Sequence, residues 1–258
     1  MYEWQVIEDE PKDGESNMAI DRAILESCGL GAIPPTLRLY SWKRPTLSIG
    51  HAQNFAKEID VNLCRKLGIQ IVRRPTGGRA LLHQHEVTYS FTAPIPHPNF
   101  PSSLFGAYKT VAEALVEGLK GIGVKDPILA SGRKTDKGRD PFHSPSCLSS
   151  SNHFEIEVQG AKLVGSAQRR TKRAFLQHGS IILDLDRNLL NSLFKYVSDD
   201  CRSRSMDILS NKVITLNECL GKDMACKEIF QALKNGFSLV MKGNCKSGNI
   251  NSFESVRG

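Results

Sequence analysis

The sequence predicts a single α+β domain. Three observations carry this: helical and strand patterns alternate in mixed order, several strands hairpin with their neighbours, and no internal repeat divides the chain. Its 258 residues can bury one substantial core, and although length alone also fits two small domains, one domain contains every element. Local hairpins argue against a doubly wound parallel sheet.

The first helix is expected over residues 15–27, where Met18, Ala19, Ala23, Ile24 and Leu25 are apolar and Asp21, Arg22 and Glu26 fill the remaining surface. Residues 36–42 and 46–50 alternate as two strands, joined into a hairpin by Lys43-Arg44-Pro45. A short amphipathic helix follows at 59–67, a short strand at 69–72, and a strand at 86–92 with Val87, Tyr89 and Phe91 on one face. Residues 104–122 carry the strongest helical stripe, Leu104, Tyr108, Val111, Leu115, Leu119 and Ile122. Residues 125–152 turn Gly-, Pro-, Ser- and Lys-rich and read as a long surface loop. In 153–158, Phe154, Ile156 and Val158 alternate with Glu155 and Glu157, and Gln159-Gly160-Ala161 turns the chain into a strand starting at Lys162. Another strand is expected at 175–185, helices at 188–196 and 227–241, and a Gly/Asn/Ser-rich tail, prone to fray, from 243.

With 40% hydrophobic and 24% charged residues the composition is that of an ordinary globular protein, not of a disordered or fibrous one. No apolar run approaches the roughly 20 residues that span a bilayer, and Met1-Tyr2-Glu3-Trp4-Gln5 lacks the features of a signal peptide, so a cytoplasmic protein without membrane association is expected. Seven scattered cysteines, with no CxxC pair and no His/Cys ligand spacing, point to neither disulfides nor a metal site. The net charge of +7 favours an acidic partner. Nucleic acid is one such partner, but the basic residues fall in small groups such as Arg169-Arg170-Thr171-Lys172-Arg173, without a recognisable nucleic-acid-binding signature. An acidic carrier protein fits the charge equally well.

Candidate chemistry concentrates in two places. Arg73-Arg74-Pro75-Thr76-Gly77-Gly78-Arg79-Ala80-Leu81-Leu82-His83 combines adjacent glycines, whose amides can approach a carbonyl or phosphate, with Arg73, Arg74 and Arg79 to neutralise an anion. A tight hairpin turn is the other reading. Neither the Walker pattern nor the GxGxxG fingerprint is present. His83, His85 and His178 can bind, relay protons or simply hydrogen-bond in the core. The second place is Cys147, which lies in the long loop outside any apolar periodicity, unlike Cys28, Cys219 and Cys226 near helices. A thiol at its ordinary pKa is only slightly ionised at neutral pH, and a nearby ammonium raises the thiolate fraction. Lys162, opening the strand after the Gly160 turn, can supply that ammonium, or it is a solvated turn lysine.

Taken together, the arginine/glycine segment with His83, then Gly160-Ala161-Lys162-Leu163-Val164-Gly165-Ser166-Ala167-Gln168, then Leu176-Gln177-His178-Gly179-Ser180 resemble the lipoate-protein ligase and biotin-protein ligase superfamily. Within it the chain is most similar to the cysteine-dependent octanoyl-acyl-carrier-protein:protein N-octanoyltransferases, which carry a nucleophile in a loop upstream of the family lysine, the place of Cys147. The likeness runs from Asn17-Met18-Ala19-Ile20-Asp21 to about Met241.

The resemblance implies one biotin/lipoyl ligase-type catalytic domain, residues 1–242, with mixed and antiparallel sheets flanked by helices, and a polar tail at 243–258. It implies ping-pong transfer of octanoyl through an acyl thioester on Cys147, assisted by Lys162, in lipoate biosynthesis. Arg73, Arg74, Thr76, Gly77, Gly78, His83, Gly165, Ser166, His178 and Gly179 would bind substrate. The donor would be octanoyl-acyl carrier protein, and the acceptor a lipoyl domain of the glycine-cleavage H protein or of a 2-oxoacid dehydrogenase subunit. No ATP, metal or nucleic acid would be needed, and the protein would act as a monomer. The octanoyl slot is not located, although Leu81, Leu82 and Val164 adjoin the motifs. Two departures from the family bear on substrate preference: Gln84-His85 stands where relatives carry an acid, and Leu148-Ser149-Ser150-Ser151 is less apolar than expected. Rival readings are an ATP-dependent lipoate ligase, an amidotransferase between lipoyl domains, and an inactive binding protein on the same fold.

Overall fold

A computed structural model describes residues 2–98, 100–130 and 155–250. Along the chain run β1 (Glu3–Glu8), α1 (Gly14–Gly29), β2 (Thr36–Tyr40), β3 (Thr46–Ile49), α2 (Phe55–Glu58), α3 (Val61–Lys66), β4 (Gln70–Arg73), β5 (Leu81–His83) and β6 (Glu86–Pro94). There follow α4 (Leu104–Gly121), β7 (Ile128–Leu129), β8 (Ile156–Val158), β9 (Ala161–Arg170), β10 (Ala174–Ile182), α5 (Arg187–Ser192), α6 (Asp199–Lys212), α7 (Leu216–Leu220), α8 (Cys226–Met241) and β11 (Asn244–Ser247). Side chains start the major helices: Asp13 Oδ1 accepts from Ser16 N at 3.0 Å before α1, and Ser103 Oγ from Gly106 N at 3.0 Å before α4.

The strands form a large sheet, in the order β11-β1-β2-β6-β10-β9-β8-β7, and a small one, β4-β3-β5. β1 is parallel to β2 and β11, β3 is parallel to β4, and the other pairings are antiparallel, so both sheets are mixed, in keeping with what the resemblance implies. On one face of the large sheet, Val87, Tyr89, Phe91 and Phe175 pack with Val111 and Leu115 of α4 and Leu233 and Phe237 of α8. A Cβ on Gly236 would stand 2.3 Å from Ala114 O, so a glycine is what lets these two helices approach so closely. The opposite face carries polar side chains from alternate positions of the same strands, and α1 covers it.

Several expectations are corrected. Residues 36–42 and 46–50 do not form a hairpin: β2 pairs with β1 and β6, whereas β3 joins β4 and β5 in the other sheet. Both strands are buried along their whole length, so their alternation marked two packed faces and not a shared solvent face. Asp21, expected on the surface, is fully buried, and Ala19 and Leu104 of the predicted apolar stripes are exposed. The interval 73–83 is not turn alone, since it ends in β5. From the segment expected to fray, Asn244–Ser247 pairs with β1. Strand β1 and helices α2, α6 and α7 are not among the elements that the sequence predicts. No helix among the described residues is long and apolar enough to cross a membrane, and no His/Cys/Asp/Glu cluster there is placed to hold a metal.

Candidate functional site

The α1-covered face of the sheet gathers a chain of buried polar groups. Arg38 on β2 donates from Nη2 to Asp9 at 2.7 Å and to Asn17 Oδ1 at 2.7 Å, and from Nη1 to Asp21 at 2.9 Å. The other oxygen of Asp21 accepts from Tyr40 OH at 3.0 Å and lies 3.2 Å from His178 Nδ1. Asn17, Asp21 and Ile24 fall at helical steps, which brings the two polar residues to the face turned toward the sheet. Burial alone would push the Asp21 carboxyl up, but the hydrogen bond from His178 and the Arg38 guanidinium hold it below the ordinary carboxylate range. Burial lowers the His178 pKa, so the ring is neutral with its proton on Nδ1 toward Asp21. Its Nε2 then accepts from the Thr76 hydroxyl, 2.6 Å away. Asp21 thus orients His178, and His178 anchors the start of the glycine loop.

A second buried set holds the far end of that loop. His83 stacks on Trp42 with ring centroids 4.0 Å apart, its Nδ1 is 2.7 Å from Glu86 Oε1, and its Nε2 is 2.7 Å from Ser48 Oγ. Glu86 Oε1 also accepts from Ser180, Thr88 and Trp42. Burial works against the Glu86 carboxylate, yet His83 and the two hydroxyls keep its pKa below the usual value. Arg74, only 6% exposed, donates to Ser48 O and Oγ, to Gly77 O and to Arg79 O, buckling the glycine loop onto β3. Arg73 turns the other way and donates to the carbonyls of Gly50, His51 and Gln53. Gly77 and Gly78 are exposed at the tip, Gly78 with φ of 88°. Gly50 permits the close approach beneath them, since a Cβ there would stand 1.8 Å from Gly78 O.

Lys162 is not a solvated turn residue. Its side chain is 4% exposed and Nζ donates to Glu155 Oε1 at 2.5 Å. The Gln159-Gly160 turn, with φ of 53° and 78°, reverses β8 into β9 and pairs Lys162 with Glu157 across the ladder, while the lysine side chain reaches Glu155 just before β8. A Cβ on Gly165 would lie 3.3 Å from Lys162 Cε and 3.9 Å from its Nζ, so the ammonium lies over the Gly165 backbone. Across the ladder Gly179 faces Ser166, and a Cβ on Gly179 would stand 2.3 Å from Gly165 O. Ser166 Oγ is 2.6 Å from Tyr89 OH, whose pKa burial pushes up to about 12. A narrow pocket between the sheets is lined by Met18, Tyr40, Trp42 and Leu81 on its apolar side and by Ser48, Gly165, Ser166, His178 and Gly179 on its polar side.

Of the residues singled out from the sequence, Arg74, His83, Gly165, Ser166, His178 and Gly179 therefore converge on one pocket. Thr76 reaches it through His178, Lys162 through Gly165, and Gly77 and Gly78 form the exposed loop above Gly50. Of the three apolar residues adjoining the motifs, only Leu81 lines the pocket, because Leu82 and Val164 point into the cores on either side. Cys147 lies outside the described residues. Sequence reasoning missed Asp21, Arg38, Trp42, Ser48, Glu86 and Glu155. The i, i+4 spacing of Asn17 and Asp21 in line with Ile24 and Cys28 was the one available signal for the first of these.

The geometry has clear relatives. Residues 13–238 match the family model of the lipoyl protein ligase A/B catalytic domain. The chain is 39% identical over 240 residues to octanoyltransferase LipM of Halalkalibacterium halodurans, covering 92% of this chain and 86% of that protein. It is 38% identical over 237 residues to octanoyltransferase LipM of Bacillus subtilis, covering 91% and 84%. Among solved structures, a bi-partite lipoate protein ligase from Thermoplasma acidophilum superposes with a TM-score of 0.77 at 21% identity, over 99% of this chain and 91% of that one. A lipoate-protein ligase A bound with ATP superposes with a TM-score of 0.76 at 23% identity, over 99% and 92%. At these identities the two structures establish the fold.

Proposed function

The chain belongs to the lipoyl protein ligase A/B catalytic-domain family, and from that premise we infer that it is an acyltransferase that transfers octanoyl groups in lipoate biosynthesis. The observation that carries transferase over ligase is its 37–40% identity, along almost its whole length, to proteins named octanoyltransferase. The donor in this reading is octanoyl-acyl carrier protein and the acceptor is the lysine of a lipoyl domain, on the glycine-cleavage H protein or a 2-oxoacid dehydrogenase subunit.

The Cys147 thiolate attacks the donor thioester carbonyl and expels the carrier thiolate, which takes up a proton. One thioester replaces another, so the acyl group stays activated without ATP. The neutral amine of the acceptor lysine then attacks the acyl-Cys147 carbonyl, forms the amide and returns the thiolate as the amine gives up its proton. Lys162, buried and held by Glu155 over Gly165, is suited to stabilise negative charge developing on the carbonyl oxygen in both steps, the kind of assistance that contributes roughly 10²- to 10³-fold. Gly165 and Gly179 line the pocket beside this lysine, and His83 and His178 position the loops around it.

Incubating the protein with octanoyl-acyl carrier protein in the absence of ATP tests this. Intact-mass analysis is expected to find one octanoyl adduct, removed by hydroxylamine and absent from Cys147→Ala. An adduct that persists in Cys147→Ala, or one that forms only with ATP and free octanoate, would overturn the acyl-cysteine route.

A further inference from the structure

Arg74 lines a second concavity besides the pocket: an open groove between α1, the segment around Pro75 and the turn joining β9 to β10. Arg22 of α1, Arg73 of β4, Arg169 of β9 and Lys172 and Arg173 of the turn all line it, against Glu26 as the single acid among its lining residues. Leu25, Leu30 and Pro75 add apolar surface, and Leu30 is 60% exposed. Two of the cations are already oriented, Arg73 by three backbone carbonyls and Arg169 by Pro75 O at 3.0 Å. Such pre-ordering lowers the entropy lost on binding. Among the described residues, no carboxylate lies within ion-pair distance of Arg22, Lys172 or Arg173.

A concave wall dominated by one sign focuses the field and raises the local concentration of anions, and guanidinium forks match phosphate oxygens. The position of the groove narrows which anion it suits. The groove and the pocket share Arg74 as a wall, so the groove lies beside the pocket, within reach of a long arm whose end lies there. An acyl thioester presented by a carrier protein sits at the end of a pantetheine arm whose far end is a phosphodiester. With the thioester at Gly165 and Ser166, an arm directed past Arg74 would bring that phosphate to the groove. The lysine arm of an acceptor domain bears no phosphate.

We propose that this groove is the subsite for the phosphate of the donor's phosphopantetheine arm, with Leu25, Leu30 and Pro75 against the arm's apolar atoms. The proposal rests on the acyl-transfer reading above.

Octanoyl-phosphopantetheine and octanoyl-pantetheine, which differ only in the phosphate, separate the two ideas when each acylates the full-length protein and kcat/KM for adduct formation is followed by intact mass. The wild type is expected to prefer the phosphorylated donor about tenfold at low salt, a preference that shrinks as salt screens the groove. In Lys172→Glu/Arg173→Glu the ratio falls to near one, whereas Lys109→Glu, on the exposed side of α4, keeps the wild-type ratio. Equal use of both donors by the wild type, or an unchanged ratio in the double variant, overturns the subsite while leaving acyl transfer standing. An unchanged ratio together with slower transfer to a lipoyl domain assigns the groove to the acceptor instead. If octanoyl-acyl carrier protein acylates the wild type but neither small thioester does, the arm is not what is recognised and the subsite is overturned; if none of the three acylates it, the acyl-transfer reading fails and the subsite falls with it.

Discussion

Lys162 and Glu155 face each other at 2.5 Å with side chains 4% and 3% exposed, and a charged pair so deeply buried holds only while both members are present. Breaking a buried pair by removing one member typically costs about 3–5 kcal/mol, whereas replacing both with neutral residues of similar size is often close to neutral. Lys162→Met and Glu155→Gln are each expected to lower the urea midpoint sharply, and the double variant to recover most of the loss while remaining inactive. Additive losses in the double variant would show that the pair is not the unit. The lysine was legible in the sequence because the Gly160 turn fixes where β9 begins. Its acid was not: Glu155 and Glu157 occupy equivalent positions in an alternating strand, and only the fold buries one of them while leaving the other half-buried.

At the level of elements, the glycines separate structural demand from chemistry. Gly179 sits in the middle of β10, and an alanine there would drive its Cβ to 2.3 Å from Gly165 O and 2.7 Å from Ser166 Oγ. Because the nearest obstacle is backbone, the β9–β10 ladder must shift, and Gly179→Ala is expected to lose about 1–3 kcal/mol together with activity. Gly77 is the opposite case. Nothing lies within 4 Å of its would-be Cβ and its φ is not left-handed. Gly77→Ala is therefore expected to hold thermal stability within about 0.5 kcal/mol, while acylation by octanoyl-acyl carrier protein slows about tenfold because the methyl occupies open space at the loop tip that the donor would enter. Unchanged acylation would reduce the loop to the tight turn that is its other reading. The same scale shows where strand patterns mislead. The β8–β9 hairpin was readable because its turn takes φ > 0 at Gln159 and Gly160, but β2 and β3 part company after Pro45, whose carbonyl accepts from Gln70 N instead of closing a hairpin. Helix α6 escaped notice because its buried stripe is Cys201, Ser205 and Leu209, of which only one is strongly apolar.

For the whole molecule, the large sheet divides the labour between its faces, an apolar core under α4 and α8 and buried ionic chains under α1. The apolar face is what a sequence displays. The ionic face is hidden, since Arg38 and Asp21 look like surface residues until helix and sheet are brought together. That face also sets the acid response. His178 has a folded pKa below its ordinary 6.5, and Asp21 and Glu86 have folded values below 3.8 and 4.5. For each group the unfolded chain binds the proton more readily than the native protein, so each contributes stability that is complete above the unfolded value and lost as pH falls toward the folded one. His178 acts first, below about pH 6.5, with partly buried His97 adding in the same direction. The two carboxylates follow below about pH 4.5. Thermal melts are accordingly expected to give a Tm that is level from pH 8 to about 7, declines from about 6.5 to 5, and drops steeply below 4.5. His178→Gln keeps a hydrogen-bonding side chain but cannot titrate, so its curve lies lower throughout and is flatter between about pH 6.5 and 5. A wild-type Tm that rises on acidification through this window would mean that His178 is held by Asp21 as a cation, and the neutral hydrogen-bonded chain from Asp21 to Thr76 would have to be abandoned.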